Sequence, residues 1–396
     1  MAVDPPKVKG ERCATLFLVS RPRVILVRGY SVNPWDLRPW EGLQEDFDIR
    51  VLITGRNDYA VDLVDLEQIH VRATRNLLPR SRISNVIAYG LGDRMFGVED
   101  LYRSADIVHV ADIGTWFSGQ AAALRRDLGF KLVATVWETI PFMATYRMRR
   151  DRRYREQVIR EGDLFLAATD RARMCLELEG IAASRIAVSY PGIDLDHFKP
   201  GVPRTNPDPI VLSPGRLVWE KGHQDAIRAL AAIRKGLVPA VDRTRRTRLR
   251  IVGGGPDRKR LEQLARELNV LEAVEFVNHV GYDAMPAMYA ACDCMMLMSL
   301  PRRGWEEQFG MVLAEAMACG VPIVASDSGA IPEVVASTNA RLVSSGSWFA
   351  AAEALVATLE DQQPAGERAM GADLEKYSVG ASSERIRQQY SALLAK

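Results

Sequence analysis

Residues 306–326, EEQFGMVLAEAMACGVPIVAS, place a loop, a helix and a strand in close succession. Two acids open the stretch, Gly310 follows them, and the segment MVLAEAMA consists of good helix formers. The apolar run VPIVAS that ends it is typical of a buried strand. Glu315 lies inside the apolar helix, where a carboxylate is rarely buried without a polar partner. We therefore predict a helix-to-strand unit of an α/β protein in which a polar group faces Glu315.

Strand-like and helix-like segments alternate along the rest of the chain. Strands are predicted at 23–30, 49–55, 84–90, 105–112, 130–138, 163–169 and 185–192, and again at 210–216, 248–255, 273–281, 292–299, 321–326 and 340–343. Helical patterns occupy 223–236, 257–270, 311–320 and 347–362. Strands separated by crossover segments favour parallel, doubly wound sheets.

The length of 396 residues favours two domains rather than one core. Residues 197–210, HFKPGVPRTNPDPI, contain too many prolines for a helix or a central strand, and we place a domain boundary there. The prediction is an N-terminal extension (1–20), a Rossmann-like domain (21–200), a linker (201–209) and a second Rossmann-like domain (210–378). A ligand is expected in the cleft between the two domains.

The composition excludes several classes of protein. The net charge is +2, with 47% hydrophobic and 26% charged residues, so no overall field favours nucleic acid. The five cysteines lack the spacing of a metal site, and free thiols in a reducing cytoplasm are expected. No apolar run reaches about 18 residues, and no convincing signal peptide is present, so we expect a cytoplasmic protein without a membrane span.

The second half of the chain carries features of a phosphate site. In LSPGRLVWEKGH, the regular part of the strand (210–213) ends at Pro214 and Gly215, so Arg216 and Lys221 lie just beyond its carboxyl end, where open α/β sheets bind ligands. A guanidinium fork and an ammonium suit a diphosphate, although a solvated loop pair is the alternative. The segment IVGGGPDRKRLE has Arg258 where a dinucleotide fingerprint needs its third glycine, so it predicts a tight turn and no nicotinamide site.

Glu307 and Glu315 flank the start of the helix that follows Gly310. The free N–H groups and the dipole at that helix end favour an anion. Carboxylates are natural acceptors for the paired hydroxyls of a sugar or a ribose. The two acids are therefore predicted to flank one nucleotide diphosphate-sugar.

These motifs together resemble a known family. The E-x7-E spacing of Glu307 and Glu315 follows SLPRRGW, with GRLVWEKG upstream and AMACGVPIVASDSGAIPEVV downstream. This order is similar to the family-4 retaining glycosyltransferases of GT-B fold, and the match covers essentially the whole second domain. YPGIDLDHFKP, before the linker, is similar to the family's segment at that place.

The resemblance implies a UDP- or GDP-linked sugar donor, no other cofactor and no metal, with Arg216 and Lys221 on the diphosphate, Glu307 on the donor sugar and Glu315 on the ribose. It also implies that a C-terminal helix, in residues 379–396, returns to the first domain. The expected donor site comprises Gly215, Arg216, Lys221, Gly253, Gly254, His279, Glu307, Phe309, Gly310, Met311, Val312 and Glu315.

The chain departs from the family pattern in both domains. Gln308 replaces a usual glycine, and RGYSVNPWDLRPWEGL replaces a common Gly-Gly. Trp137 stands where many relatives have a histidine, and Glu138 beside it is either a further catalytic group or a cap for the next segment. Candidate acceptor or cleft residues are Gly29, Asn33, Trp35 and His109.

Seven arginines within residues 147–160 accompany only Asp151 and Glu156. An anionic membrane surface is one candidate partner for this run, and a solvated helix face is the alternative. Membrane contact would fit an acceptor glycan or lipid-linked sugar in glycolipid or polysaccharide assembly. Two other functions stay open: a nucleotide-sugar epimerase of the same fold, and a non-catalytic nucleotide-sugar-binding protein. The sequence indicates no oligomeric state.

Overall fold

The computed structural model describes residues 21–30, 32–55, 64–79, 92–143, 149–201, 208–361 and 373–396, together with residues 81, 83, 84, 86 and 87. The predicted N-terminal extension (1–20) and most of the predicted linker (202–207) lie outside these residues.

A parallel sheet forms the centre of the first domain. In the part of the chain that the structure describes, its strands are β1 (Arg23–Gly29), β2 (Asp48–Thr54), β3 (Glu67–Val71), β4 (Ile107–Ala111), β5 (Lys131–Val136), β6 (Leu164–Ala167) and β7 (Ile186–Val188). They lie in the order β3-β2-β1-β4-β5-β6-β7. Val24 of β1 pairs with Ile49 on one side and Ile107 on the other. The winding therefore reverses between β1 and β4.

A second parallel sheet is built in the same way. Its described strands are β8 (Ile210–Pro214), β9 (Arg248–Val252), β10 (Val274–Val277), β11 (Cys294–Leu297), β12 (Ile323–Ser326) and β13 (Arg341–Val343). The order is β10-β9-β8-β11-β12-β13, and Cys294 pairs with Val211 at the reversal between β8 and β11. Two doubly wound α/β domains are thus present, as the sequence predicts.

Helices cover both faces of each sheet. Those of the first domain are α1 (Pro34–Glu41), α2 (Glu99–Arg103), α3 (Trp116–Leu128), α4 (Arg149–Glu161) and α5 (Asp170–Leu178). Those of the second are α6 (His223–Arg234), α7 (Asp242–Arg245), α8 (Arg258–Glu267), α9 (Met285–Ala290), α10 (Met311–Ala318), α11 (Ile331–Val334) and α12 (Trp348–Leu359). Alternate strand residues enter opposite apolar clusters, as for Ile25 and Leu26, because side chains alternate across a strand.

The last helix, α13 (Val379–Leu394), packs on the first domain although it follows the second sheet in sequence. Ser383 Oγ donates to the Pro39 carbonyl oxygen at 2.7 Å, and the Trp40 indole N–H donates to the Tyr390 hydroxyl at 3.0 Å. Of the described helices, none combines the length and apolar character needed to cross a membrane.

The predicted strand at 84–90 is not found where the structure describes it. Residues 83–84 and 86–87 are helical, and the edge strand β3 at Glu67–Val71 takes the outer position. The pattern of β3 is weak because an edge strand buries little: Glu67 and His70 are exposed. An edge strand of this kind carries no continuous apolar run.

Candidate active site

The loops after β8 and β11 meet at the point where the second sheet reverses its winding. Gly215 and Arg216 follow β8, while Ser299 and Glu307 lie between β11 and α10. Open α/β sheets bind ligands beyond the carboxyl ends of the strands at such a point.

Gly253 lets the loops after β8 and β9 approach closely. A Cβ on Gly253 would stand 2.0 Å from the Gly215 carbonyl oxygen, a distance that excludes any larger residue. The Leu217 N–H donates to the Gly254 carbonyl oxygen at 2.9 Å, while Gly254 itself is exposed. The glycine-rich stretch therefore joins two loops at the mouth of the sheet.

Lys221 and Glu307 form an ion pair at this mouth. Lys221 Nζ donates to Glu307 Oε1 at 3.0 Å and to Oε2 at 2.7 Å. Ser299 Oγ donates to the same Oε2 at 2.6 Å. The Lys221 ammonium lies 5.2 Å from the centroid of the Trp305 ring. Because Glu307 is only 6% exposed, these contacts compensate a buried carboxylate and hold it in one orientation.

The backbone of Glu307 is fixed as well. Its carbonyl oxygen accepts from the Ala330 N–H at 2.8 Å, and a Cβ on Gly329 would stand 2.1 Å from that oxygen. Gly310, with φ 80°, then begins α10 in the left-handed region that favours glycine. The helix α10 therefore starts at Met311, shortly after Glu307 in the same loop, and the N–H groups at such a helix end favour an anion.

Glu315 has the polar partner that its position inside an apolar helix requires. The Tyr289 hydroxyl of α9 donates to Glu315 Oε2 at 2.7 Å and lies 3.3 Å from the Val312 carbonyl oxygen. Burial raises the pKa of the Glu315 carboxyl to about 7. Glu315 therefore titrates near neutral pH.

His223, the first residue of α6, supports the loop that carries Arg216. Its Nε2 lies 3.1 Å from the Arg216 carbonyl oxygen, which can only accept, so Nε2 carries the proton. Nδ1 then accepts from Ser213 Oγ at 2.8 Å. Burial lowers the pKa of His223 to about 4. A neutral imidazole thus fixes the loop, which favours a structural role.

The other predicted donor residues lie at different depths. Phe309 is buried and packs edge-on against Trp137, with ring centroids 6.4 Å apart. Met311 and Val312 are half-buried, and Arg216 is exposed. His279 is exposed beyond β10, an edge strand two positions from the reversal point. The strand that precedes His279 is joined to the predicted donor residue Gly253, whose N–H donates to the Val277 carbonyl oxygen at 3.1 Å.

The first sheet has its own pocket at the corresponding reversal point, between β1 and β4. The pocket has a volume of about 470 Å³ and is lined by Val27, Arg28, Gly29, Tyr30, Arg75, Ala111, Gly114, Thr115, Trp116, Phe117 and Asp151. The Arg75 guanidinium lies 4.5 Å from the centroid of the Tyr30 ring. Arg75 also pairs with Asp93 at 3.3 Å. Thr115, the N-cap of α3, brings a second helix N-terminus to this pocket.

Comparisons with known proteins identify the family. The profile described as "Glycosyl transferases group 1" matches residues 196–375, and that described as "Glycosyltransferase Family 4" matches residues 41–197. The chain belongs to the family-4 glycosyltransferases of GT-B fold. The family-4 profile covers most of the first domain of this glycosyltransferase, and the group 1 profile covers most of the second.

The sequences of individual relatives are only moderately similar to this chain. The D-inositol 3-phosphate glycosyltransferase of Corynebacterium jeikeium is 28% identical over 322 residues, 73% of each chain. A GDP-mannose-dependent alpha-(1-6)-phosphatidylinositol monomannoside mannosyltransferase of Mycobacterium tuberculosis is 35% identical over 193 residues, 46% of this chain and 48% of the relative. Anabaena HepE, solved with UDP and glucose, has a TM-score of 0.71 at 17% identity, with 94% of this chain and 100% of HepE covered.

Glu138 of this glycosyltransferase lies just beyond β5 and is 7% exposed. Its Oε1 accepts from the N–H groups of Thr139 and Ile140, at 2.9 and 2.8 Å. Burial raises the pKa of Glu138. The hydrogen bond from Ile140 opposes this shift, and the nearby negative charge of Asp112 adds to it. These contacts match the capping alternative.

The four predicted acceptor or cleft residues are not brought together. Gly29 lines the first-domain pocket. Asn33 caps α1 by accepting from the Trp35 N–H at 3.1 Å. Trp35 stacks on Tyr282 of the second domain, with ring centroids 3.6 Å apart, so one face of its indole is occupied.

The prediction for His109 is corrected by its position. His109 is fully buried, with Nδ1 2.5 Å from the Tyr390 hydroxyl and Nε2 2.7 Å from Thr135 Oγ1. Its side chain faces α13 because Val108 and Val110 take the opposite face of β4. His109 joins the last helix to the first sheet and does not line the pocket there.

The arginine run is also divided by the fold. Residues 147–148, and the side chains of Arg149 and Arg150, lie outside the described residues. Arg155 is 8% exposed and pairs with Glu179, so it cannot face a membrane. Arg152 and Arg153 are exposed, and Arg152 pairs with Glu156 at 2.7 Å.

Sequence reasoning missed several groups near the site. Ser299 and Trp305 contact the ion pair, and Arg171 and Glu333 bridge the two domains beside it. Ser299 closes the apolar run that contains β11, and its position just beyond a buried strand could have indicated a site residue. The sequence around Arg171 and Glu333 has no comparable feature. Within the described residues, no group of three or more His, Cys, Asp and Glu side chains is arranged to hold a metal ion.

Proposed function

We propose that this glycosyltransferase moves a sugar from a nucleotide diphosphate-sugar to an acceptor hydroxyl, with retention of anomeric configuration and without a metal ion. The observation that carries the proposal is the Lys221–Glu307 pair beside the N-terminus of α10. This arrangement joins a phosphate-binding charge to a hydroxyl-binding carboxylate at the reversal point of the sheet.

The donor lies across this mouth. Its diphosphate sits at the N–H groups that follow Gly310, with Lys221 and the exposed Arg216 supplying positive charge. Glu307 accepts hydrogen bonds from hydroxyls of the transferred sugar, and Glu315, on the second turn of α10, accepts from the ribose hydroxyls. UDP and GDP are the nucleotides to test first.

Catalysis follows from charge on the leaving group. As the bond from the sugar to the diphosphate breaks, negative charge grows on the phosphate oxygens, where the two cations and the helix end stabilise it. The acceptor attacks from the same face, and its proton passes to a leaving phosphate oxygen. No protein nucleophile is needed in this scheme.

The acceptor binds in the first-domain pocket and carries an anionic group. Arg28, Arg75 and the N-terminus of α3 line that pocket together. Asp93 neutralises part of the charge of Arg75, and Asp151 also lines the pocket. The favoured acceptor therefore carries a phosphate, which the arginines bind, and hydroxyls, which donate hydrogen bonds to the two carboxylates. Two relatives are named for an inositol phosphate and a phosphatidylinositol mannoside, which agrees with this class.

The test is an assay of nucleotide release from UDP- and GDP-sugars, with inositol phosphate, phosphatidylinositol or unphosphorylated inositol as acceptor. We expect release that depends on a phosphorylated acceptor, and NMR of the product to show the donor's anomeric configuration. An altered nucleotide-sugar formed without acceptor would instead indicate an epimerase, and binding without turnover a non-catalytic protein. Arg75→Met should raise the acceptor KM and leave the donor KM unchanged; an equal rise in both would refute the placement of the acceptor.

A further inference from the structure

The N-terminus of α5, in the first domain, is held by two carboxylates of the second domain. Glu333 Oε1 accepts from the Asp170 N–H at 2.7 Å, and Glu333 Oε2 accepts from the Arg171 N–H at 3.1 Å. The Arg171 guanidinium donates through Nε to Glu306 Oε1 at 2.6 Å and through Nη2 to Glu306 Oε2 at 3.1 Å. Both acids therefore lie at the positive end of a first-domain helix.

The contact between Arg171 and Glu306 is a two-point, charge-assisted pair. The Glu306 side chain is 12% exposed and that of Arg171 is 43% exposed, so the pair lies at the edge of the domain contact. Parallel hydrogen bonds between a guanidinium and a carboxylate fix orientation as well as distance. Arg173, two residues further on, differs: it pairs with Asp170 and Glu177 of its own helix.

The second-domain side of this contact is continuous with the donor site. Glu306 immediately precedes Glu307, and the Glu307 carbonyl oxygen accepts from Ala330, the residue before α11. Glu333 lies on α11. The loop of Glu306 and Glu307 and the helix α11 are therefore joined by a hydrogen bond. Together they carry the two acids that bind α5 and the carboxylate that pairs with Lys221.

We propose that Arg171, Glu306 and Glu333 are positioning residues for sugar transfer, which seat the loop of Glu307 against the first domain. The proposal rests on the function proposed above. Glu307 belongs to the donor side of the cleft and the acceptor pocket to the first domain, so this contact, together with the Trp35–Tyr282 stack, sets their separation. A misplacement of about 1 Å can lower a rate about 100-fold without loss of binding.

A double-mutant cycle tests the proposal in the full chain. Arg171→Met and Glu306→Gln should each lower kcat by about 10- to 100-fold, and the double variant should be no slower than the slower single one. Binding of UDP or GDP, measured by titration calorimetry, should change by less than about threefold because the second domain holds the nucleotide. Arg173→Met is the matched control and should keep the wild-type kcat. Additive losses, or an equal loss in Arg173→Met, would overturn the proposal.

A second measurement does not depend on activity. Small-angle X-ray scattering should show a larger radius of gyration for Arg171→Met and for Glu333→Ala than for wild type and Arg173→Met. Hydrogen exchange at the Asp170 and Arg171 amides should be faster in Glu333→Ala. Unchanged scattering and exchange would overturn the positioning role even if transfer is confirmed. If no sugar donor is turned over, the same two measurements still decide whether the contact holds the domains.

Discussion

Lys221 and Glu307, 86 positions apart in sequence, neutralise each other at the mouth of the second sheet through two hydrogen bonds of 3.0 and 2.7 Å. Each group therefore holds the other in the place where the proposed donor binds. Preorganised charge of this kind needs little rearrangement as the leaving group develops its own charge. The pair also means that a change to either residue alters the other.

Glu307→Ala should abolish transfer while binding of free UDP or GDP survives. The carboxylate is proposed to contact the sugar, and its removal releases Lys221 to contact phosphate, so nucleotide binding should be unchanged or tighter. Calorimetry with the free nucleotide and a steady-state assay measure the two effects. Glu353→Ala, at an exposed position of α12, is the control. Loss of both functions in a folded Glu307→Ala protein would contradict this placement.

Lys221→Ala and Arg216→Ala should both weaken nucleotide diphosphate binding. Loss of one charge-assisted contact costs about 1.5–3 kcal/mol, or roughly 10- to 150-fold in Kd. The two variants should differ in stability: Lys221→Ala leaves the buried Glu307 without its cation, whereas Arg216 is exposed. Thermal unfolding alongside calorimetry separates these effects. Wild-type kinetics in both variants would rule out the phosphate site.

Glu315 should make the protein less stable as the pH rises from about 4.5 to 7. Burial raises the pKa of this carboxyl from an ordinary value of 4.5 to about 7, so in that interval the folded state holds a proton that the unfolded state has released. Stability is therefore lost as the pH rises through the interval, by roughly 3 kcal/mol in total.

Urea unfolding of wild type and Glu315→Gln at pH 5, 6, 7 and 8 measures this effect. The stability of wild type relative to Glu315→Gln should fall with pH up to about 7 and then level off. Glu353→Gln should show no such difference from wild type. A wild-type advantage that is constant or grows with pH would contradict the prediction.

The arginine run should divide into a membrane-facing part and a structural part. On the interpretation that this run faces an anionic membrane, Arg152→Glu with Arg153→Glu should reduce flotation with acidic vesicles at low salt, since each arginine near such a surface contributes about 1 kcal/mol. Neutral vesicles should recover no protein. If wild-type protein is not recovered with acidic lipid at low salt, the membrane interpretation is wrong and the run is a solvated helix face.

Arg155→Glu should behave differently from those two exposed positions. Arg155 is buried against Glu179, and breaking a buried pair typically costs about 3–5 kcal/mol. We therefore expect a lower unfolding temperature rather than a specific loss of vesicle binding, measured by thermal unfolding of the purified variant. A stable Arg155→Glu protein would contradict the structural assignment.

Much of the fold follows from the sequence because buried parallel strands are marked locally. The runs that became β1, β4, β8 and β11 are apolar on both faces, and turn residues close them. The strand β3 was not predicted because it is an edge strand with Glu67 and His70 exposed, so it has no continuous apolar run. Its place beside β2 depends on pairing with Arg50–Thr54 and not on its own pattern.

The candidate site divides in the same way. Motif spacing and the family resemblance predict Arg216, Lys221, Glu307 and Glu315 as one donor site, and this assignment stays a prediction. Only the tertiary structure decided that Lys221 pairs with Glu307, that Tyr289 bonds Glu315, and that His109 faces α13. The bridge from Arg171 to Glu306 spans 135 positions, and neither residue has a distinctive local pattern. Helix and strand preferences act between near neighbours, whereas these contacts depend on how two sheets and a returning helix pack together.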